Sequence, residues 1–473
     1  YVVDFPVTEP RNSSFFSIPL TALSGFDEPV DRCDISVTSP AGQEITLVCN
    51  REGVRERTAV AGGVRHAITL TDLPAVRREY DSGPGIGRLP HYAFSSMRDA
   101  SDFVTWYGGI IANAERIDPA AARRFAAPTL RETVDRVYEF TAREMDTLRN
   151  VLYHPEPAEN TLMRMRGTPE DKAVLAKSLL AGLGIRSFIA VARDAHLPPT
   201  GAFMSPDAFT HALLYVPLDG RESLWLDFTG RHAPCGAVPE ELAGVEALVL
   251  LKNGFEHRTV RDTTPGGIAG RYRITISDAG DAAIDAEVAY EGRTGSMRRD
   301  FMNATYREDR VNAVLGGMFP SMSIDEFRLS NLREYSRPFV IAARGRCDSF
   351  ATVGHDRIIL QPMSQSSRVL DYLHYERRET PLVIRHAISE DDAYEFTLPD
   401  RFADAVVERE VRLTARHGHA RIDIKKAKGS RTLRVVKSVR FSRARIEPGE
   451  YQDFVKFCVA LKTAERHSII IRR

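Results

Sequence analysis

The hydrophobic period of this chain changes twice, and those changes limit the folds open to it. Up to about residue 95, apolar and polar residues alternate between Pro and Gly punctuation, as in "EITLVC" and "HAITLTDL", the pattern of antiparallel strands. From about Ser96 the period becomes helical. Phe103, Trp106, Tyr107, Ile110 and Ile111 fall at helical spacing and read as plain core. Thr129 and Glu132 can form a capping box for a second helix, whose buried face is Leu130, Val134, Val137, Tyr138, Met145 and Leu148. Residues 165 to 228 read as loop, helix, strand, loop, strand, turn, strand. Beyond about Lys252 strand patterns return, with a turn at Ala279 and Gly280 and helical interludes near 300–315 and 451–461. The expectation is an α+β protein, too long at 473 residues for one core, with a β-rich domain over 1–117, an α+β core over 118–255 and a mostly β domain with helical insertions over 256–473.

Composition excludes more than it selects. Hydrophobic content of 43% and charged content of 27% are those of a globular protein. Lys+Arg and Asp+Glu balance at 64 each, so no global field draws the chain to nucleic acid or an anionic surface. No apolar run approaches the roughly 20 residues of a spanning helix, so no transmembrane segment is expected. The five cysteines give neither a dense disulfide framework nor a paired-cysteine zinc pattern. Cys33 and Cys49 flank an apparent hairpin turning near Ala41, which would set the thiols opposite each other, either bridged or as two free cysteines.

Candidate chemistry sits in the middle of the chain. In "FTHALLYVPLDGRESLWLDFTG" a three-residue loop of Leu218, Asp219 and Gly220 would pair Pro217 with Arg221, and hence His211 with Asp227. Opposed residues on one sheet face lie about 5 Å apart at Cβ, close enough for a carboxylate to orient an imidazole. The alternative is a His and Asp that satisfy each other structurally. A nucleophile for such a pair is best placed at a helix amino terminus, where backbone N–H groups and the dipole favour a thiolate. The preceding helix begins at "RGTPEDKAVLAKSLLAGLGI". Thr168 suits the N-cap, Pro169 the first helical position, and Glu170 and Asp171 the positive end of the dipole.

That run, with "FTHALLYV" and "LWLDFTG" after it, resembles the core of bacterial transglutaminase-like proteins, which share the papain-like cysteine-protease fold and whose motif runs approximately RGDCKDKA, then FNH, then WLDPT. The resemblance extends to both flanks. "AITLTDLPAVRREYDSGPGIGRLPHYAFSSMRDASDFVTWY" is similar to the end of the β domain that often precedes this core, so residues 1–117 read as the second part of a larger one. "TPLVIRHAISEDDAYEFTLPDRF" and "RIEPGEYQDFVKF" resemble the β domain that often follows. The resemblance implies a papain-like, transglutaminase-like core between antiparallel β-sandwich domains. It makes His211 the catalytic histidine and Asp227 its acidic partner, and it aligns Gly167, Asp171, Lys172 and Ala173 with the motif. At the nucleophile position, however, stands Pro169. The expectation is therefore a pseudoenzyme that binds or scaffolds a protein or peptide partner, as part of an assembly in a bacterial periplasm or envelope.

Two residues could restore a nucleophile. Thr168 is adjacent, but a hydroxyl is far less acidic than a thiol and capping engages its lone pairs. Cys235, in "RHAPCGAVP", follows the Asp strand and could serve an active cysteine hydrolase or acyltransferase together with His211 and Asp227, although nothing in its local sequence lowers its pKa. Elsewhere, residues 421–445 hold ten Lys and Arg against one acid, Asp423. The alternation of Val439 and Phe441 with Arg434, Ser438, Arg440 and Ser442 reads as a strand with a solvated basic face rather than a nucleic-acid platform. His417 and His419 lack a third ligand nearby, His196 reads as a loop residue, and "SGPGIGRLP" reads as a loop without the spacing of a phosphate site. No metal or cofactor is expected.

Overall fold

The computed structural model describes residues 15–83, 85–149, 151–195, 197, 203–218, 222–262, 266–303, 307–363 and 365–473. The chain divides into two compact units, residues 1–231 with 241–261 and residues 232–240 with 262–473.

In the first unit, strands β1 (Ser17–Ala22), β2 (Val30–Pro40), β3 (Thr46–Cys49), β4 (Val54–Val60), β5 (Gly63–Leu73) and β6 (His91–Ser95) form two antiparallel sheets, ordered β1-β6-β3 and β2-β5-β4. The expected hairpin between Cys33 and Cys49 does not form. Strands β2 and β5 are 11 residues each and pair along their whole length, from Val30 against Leu73 to Pro40 against Gly63. That ladder outcompetes pairing with β3, only 4 residues long, which joins β6 instead. Both cysteines are unbridged. The "SGPGIGRLP" stretch contains one short helical turn, Gly85–Arg88.

Helix α1 (Ala100–Ala114) starts where the period changes, capped by the Asp99 carboxylate on the N–H groups of Ser101 and Asp102. Helix α2 (Leu130–Glu139) has the expected capping box between Thr129 and Glu132 in full. It ends sooner than the spacing suggests. Thr141 turns its hydroxyl back onto the carbonyls of Val137 and Tyr138 and the chain passes into a π turn over Phe140–Glu144, leaving Met145 buried but Leu148 exposed.

Helix α3 (Ala158–Arg164) stops at Met165, whose φ of 52° is left-handed. Arg166 and Gly167 then pair in parallel with Asp146 and Thr147, which fixes where helix α4 (Pro169–Gly182) begins. Ala173, Val174, Leu175, Ala176, Leu179 and Leu180 of α4 are fully buried, and each leucine contributes about 2 kcal/mol by leaving water. The helix packs on β7 (Phe188–Ala192) and β8 (His211–Pro217), members of an antiparallel sheet ordered β9-β8-β7-β10-β11 with β9 (Ser223–Leu226), β10 (Glu246–Leu251) and β11 (Gly254–Thr259).

The second unit is built on an eight-stranded sheet. Its strands are β12 (Gly267–Ile276), β13 (Ala282–Glu291), β14 (Met322–Ser330), β15 (Phe339–Cys347), β16 (Ile388–Thr397), β17 (Val407–Ala415), β18 (Gly418–Lys426) and β19 (Thr432–Phe441), ordered β14-β15-β13-β12-β16-β19-β18-β17. All neighbours are antiparallel except β12 and β16, which run parallel. Helices α5 (Gly292–Met302), α6 (Arg307–Met318) and α7 (Tyr451–Glu465) contribute to its core with Met302, Leu315, Phe454, Phe457 and Leu461. Inside that core Lys437 lies 3.0 Å from Asp392 and 3.5 Å from Glu465. Beside them Glu390 accepts the Arg368 N–H at 3.0 Å through one carboxylate oxygen, while the other has no partner among the described residues. No helix among the described residues is long and apolar enough to cross a membrane.

The basic stretch over 421–445 is less open than its composition suggests. Arg434 pairs with Glu395, Arg440 with Asp391, Arg421 with Glu410 and Asp423, and Arg431 with Asp400. Lys437 and Lys426 point inward, the latter onto the carbonyls of Ala403 and Ala405.

Candidate functional site

The start of α4 is locked by reciprocal hydrogen bonds. Thr168 accepts the Asp171 N–H at 3.1 Å and donates its own N–H to Asp171 at 2.7 Å, a complete capping box. Pro169 occupies the first helical position, buried and without a hydroxyl, thiol or N–H. Gly167 is needed by close approach, because a Cβ there would stand 2.8 Å from the Asp171 Cβ.

The three charged residues after Pro169 are all buried, and each has structural partners. Glu170 accepts the Tyr107 hydroxyl at 2.5 Å and the N–H groups of Tyr153 and His154 at 2.9 and 3.3 Å. Burial raises its pKa against the pull of those bonds, and burial with the nearby Glu170 charge raises Tyr107 and Tyr153 well above the usual phenol range. The second oxygen of Asp171 accepts the Glu156 N–H at 2.8 Å. Lys172 donates to the Met145 carbonyl at 3.0 Å and the Thr147 hydroxyl at 2.7 Å; burial, helped by Arg231, lowers its pKa to about 8.

His211 opens β8 opposite Ala192 of β7. The β8–β9 register is not the expected one. Pro217 faces Ser223 and Leu214 faces Leu226, with Leu218 N–H donating to the Glu222 carbonyl at 3.0 Å, so the tip of the loop is 219–221, outside the described residues. Continued one step, that register sets Asp227 against Leu213 rather than His211. A shift of two positions keeps the parity of the expected register, and Asp227 itself stands one residue past the end of β9.

The two are not hydrogen-bonded to each other. His211 Nδ1 shares a 2.8 Å hydrogen bond with the Thr210 hydroxyl. Asp227, only 2% exposed, accepts the N–H of Thr229 at 3.1 Å and the Thr229 hydroxyl on the same oxygen, and its other oxygen has no partner among the described residues. Burial raises the Asp227 pKa more than the Thr229 bonds and His211 lower it.

Of the residues singled out in the sequence, Thr168 and Pro169 stand at the start of α4, which packs on the strand carrying His211. Cys235 is buried in segment 232–240, which belongs to the second unit. His417 and His419 flank Gly418 at the start of β18, and no cluster of three metal-ligating side chains occurs among the described residues. His196 lies outside them. A groove of about 900 Å³, floored by Val104, Ile111, Ile189 and Leu250, lies at the Phe188 end of β7, opposite the Ala192 end that faces His211. Sequence reading missed Thr210 and Thr229 as partners of the pair. Thr229, two residues after an aspartate, carried a recognisable local signal.

Residues 356–471 match the model of a domain of unknown function, DUF3858. A protein from Parabacteroides distasonis, provisionally designated a protease, is similar in structure with a TM-score of 0.64 at 14% identity, over 98% of this chain and 77% of that one. A second, from Cytophaga hutchinsonii and provisionally designated a cysteine protease, gives 0.21 at 12% identity over 46% and 78% of the two chains, a score from which nothing further follows. No curated protein matches the chain. The fold is therefore α+β, with a papain-like core flanked in the chain by β domains.

Proposed function

We propose that this chain is a non-catalytic member of the transglutaminase-like class whose remnant cleft binds a peptide segment, as a binding or scaffolding module. The observation that carries the reading is Pro169 at the first position of α4, where a papain-like enzyme would hold its thiol. Two further features support it. Thr168 is committed to capping, and His211 and Asp227 are each engaged by a neighbouring threonine instead of by each other. Service in a bacterial envelope assembly is part of the same proposal and rests on resemblance.

The test is hydrolysis and acyl transfer on a glutamine-peptide library, with the parent, Pro169→Cys and Cys235→Ser side by side, together with peptide binding by the parent. An inert parent that binds peptides, and a gain of turnover in Pro169→Cys, support a disarmed site. Turnover by the parent that disappears in Cys235→Ser sinks the proposal and moves the nucleophile to Cys235.

A further inference from the structure

Cys33 and Cys49 stand on β2 and β3, strands of two different sheets. Both are partly exposed, and both pack on one small apolar nucleus of Ile68, Leu70 and Leu73. Cys33 lies opposite Leu70 in one sheet and Cys49 opposite Tyr92 in the other, and the shared nucleus is what brings both to one region. Burial, Asp34 and Cys49 raise the pKa of the Cys33 thiol, and Cys33 in turn contributes to the raised pKa of Tyr92. Both neighbours are thus within electrostatic reach. That nucleus has three buried members, all from β5, and a small apolar nucleus commonly gains a covalent staple.

We propose that Cys33 and Cys49 form a redox-active dithiol that closes into a disulfide across the two N-terminal sheets on meeting a small-molecule disulfide such as oxidised glutathione. One thiolate attacks the reagent to give a mixed disulfide and releases one glutathione thiol. The second cysteine then attacks that mixed disulfide and releases another. The two protein thiols lose two electrons, the reagent's S–S bond takes them up, and the two protons leave on the released thiols. The other three cysteines, Cys235, Cys347 and Cys458, are buried, and burial pushes the Cys458 thiol up to about 12.

The experiment incubates the native full chain with oxidised glutathione, counts free thiols, and maps peptides by mass spectrometry. Loss of two thiols, a mass lower by two hydrogens and a Cys33–Cys49 linked peptide are expected. Cys33→Ser and Cys49→Ser should each stop at a mixed glutathione disulfide. Trp106 and Trp225 both lie in the first unit, so their fluorescence should report a Tm rise on the order of 5 °C on oxidation of the parent and none in either variant. Retention of all five thiols, a parent that stops at mixed disulfides, or a link through any buried cysteine would overturn the proposal.

Discussion

His211 shares its Nδ1 with the hydroxyl of Thr210 at 2.8 Å, so the ring nitrogen that would face an acidic partner is already engaged one residue away. Replacing Thr210 with Val should free that nitrogen and change the ring ¹⁵N shifts of His211. Asp227→Asn should move them less, because Thr229 holds one Asp227 oxygen and the carboxylate acts on His211 only through space, without a hydrogen bond. A long-range ¹H–¹⁵N correlation spectrum checks both. A large shift in Asp227→Asn with none in Thr210→Val would mean that the pair is coupled after all.

The capping box at α4 sets a stability scale for the site. Thr168→Ala removes the acceptor for the Asp171 N–H and should cost about 1 kcal/mol in urea unfolding. Gly167→Ala should cost more, roughly 2 kcal/mol, since its Cβ would meet that of Asp171 at 2.8 Å in a site that cannot relax without breaking the box. If Gly167→Ala were the milder change, the tight approach at 167 would not matter to folding.

Local chemistry made part of this site readable and long-range packing hid the rest. The caps at Thr129 and Thr168 depend on residues three positions away, so the sequence displays both partners. The hairpin that carries His211 was readable from its loop, although the register was misjudged by two positions, a shift that keeps parity. The Cys33 hairpin failed because a strand 11 residues long competed from further along the chain. Glu170 looked like a dipole partner, but its main contact, Tyr107, is 63 residues away and turns it inward. The basic stretch over 421–445 likewise meets most of its acids on neighbouring strands, and no charge count within the stretch could show that.

Lys172 gives the first unit a pH signature. Its folded pKa is lowered to about 8 from an ordinary value of 10.5, so between those limits the unfolded chain binds a proton that the folded chain does not. Stability from this group therefore rises with pH across that window and is absent below it. Unfolding followed by tryptophan fluorescence should show the parent gaining on Lys172→Met between pH 8 and 10.5. A constant difference across that range would mean the amine keeps its ordinary pKa inside the fold.

Glu390 gives the second unit the opposite slope. Burial raises its pKa above the ordinary carboxylate value, outweighing the effect of Lys437, so the folded state holds a proton that the unfolded state releases first. Stability is greatest below the unfolded pKa and falls as pH climbs through the raised one. Glu390→Gln keeps an acceptor for the Arg368 N–H and removes that loss. Circular dichroism should show the variant overtaking the parent on going from pH 4 to pH 7, with the tryptophan signal of the first unit unchanged.

The acidity of a thiol placed at position 169 follows from two opposing fields. The amino end of α4 favours a thiolate, because its unpaired N–H groups and dipole stabilise negative charge. Glu170, next in the chain and buried, opposes it whenever ionised, and repulsion between neighbouring like charges in a partly buried site is on the order of 1–2 kcal/mol. Glu170→Gln retains acceptors for Tyr107 and Tyr153 while removing the charge. Iodoacetamide should therefore alkylate the introduced thiol of Pro169→Cys slowly at pH 7, and that of the Pro169→Cys, Glu170→Gln double variant up to about tenfold faster. Alkylation against pH should show the same ordering as a lower midpoint in the double variant. Equal rates would mean that Glu170 is held neutral by its buried site, and that the missing sulfur alone separates this helix start from a catalytic one.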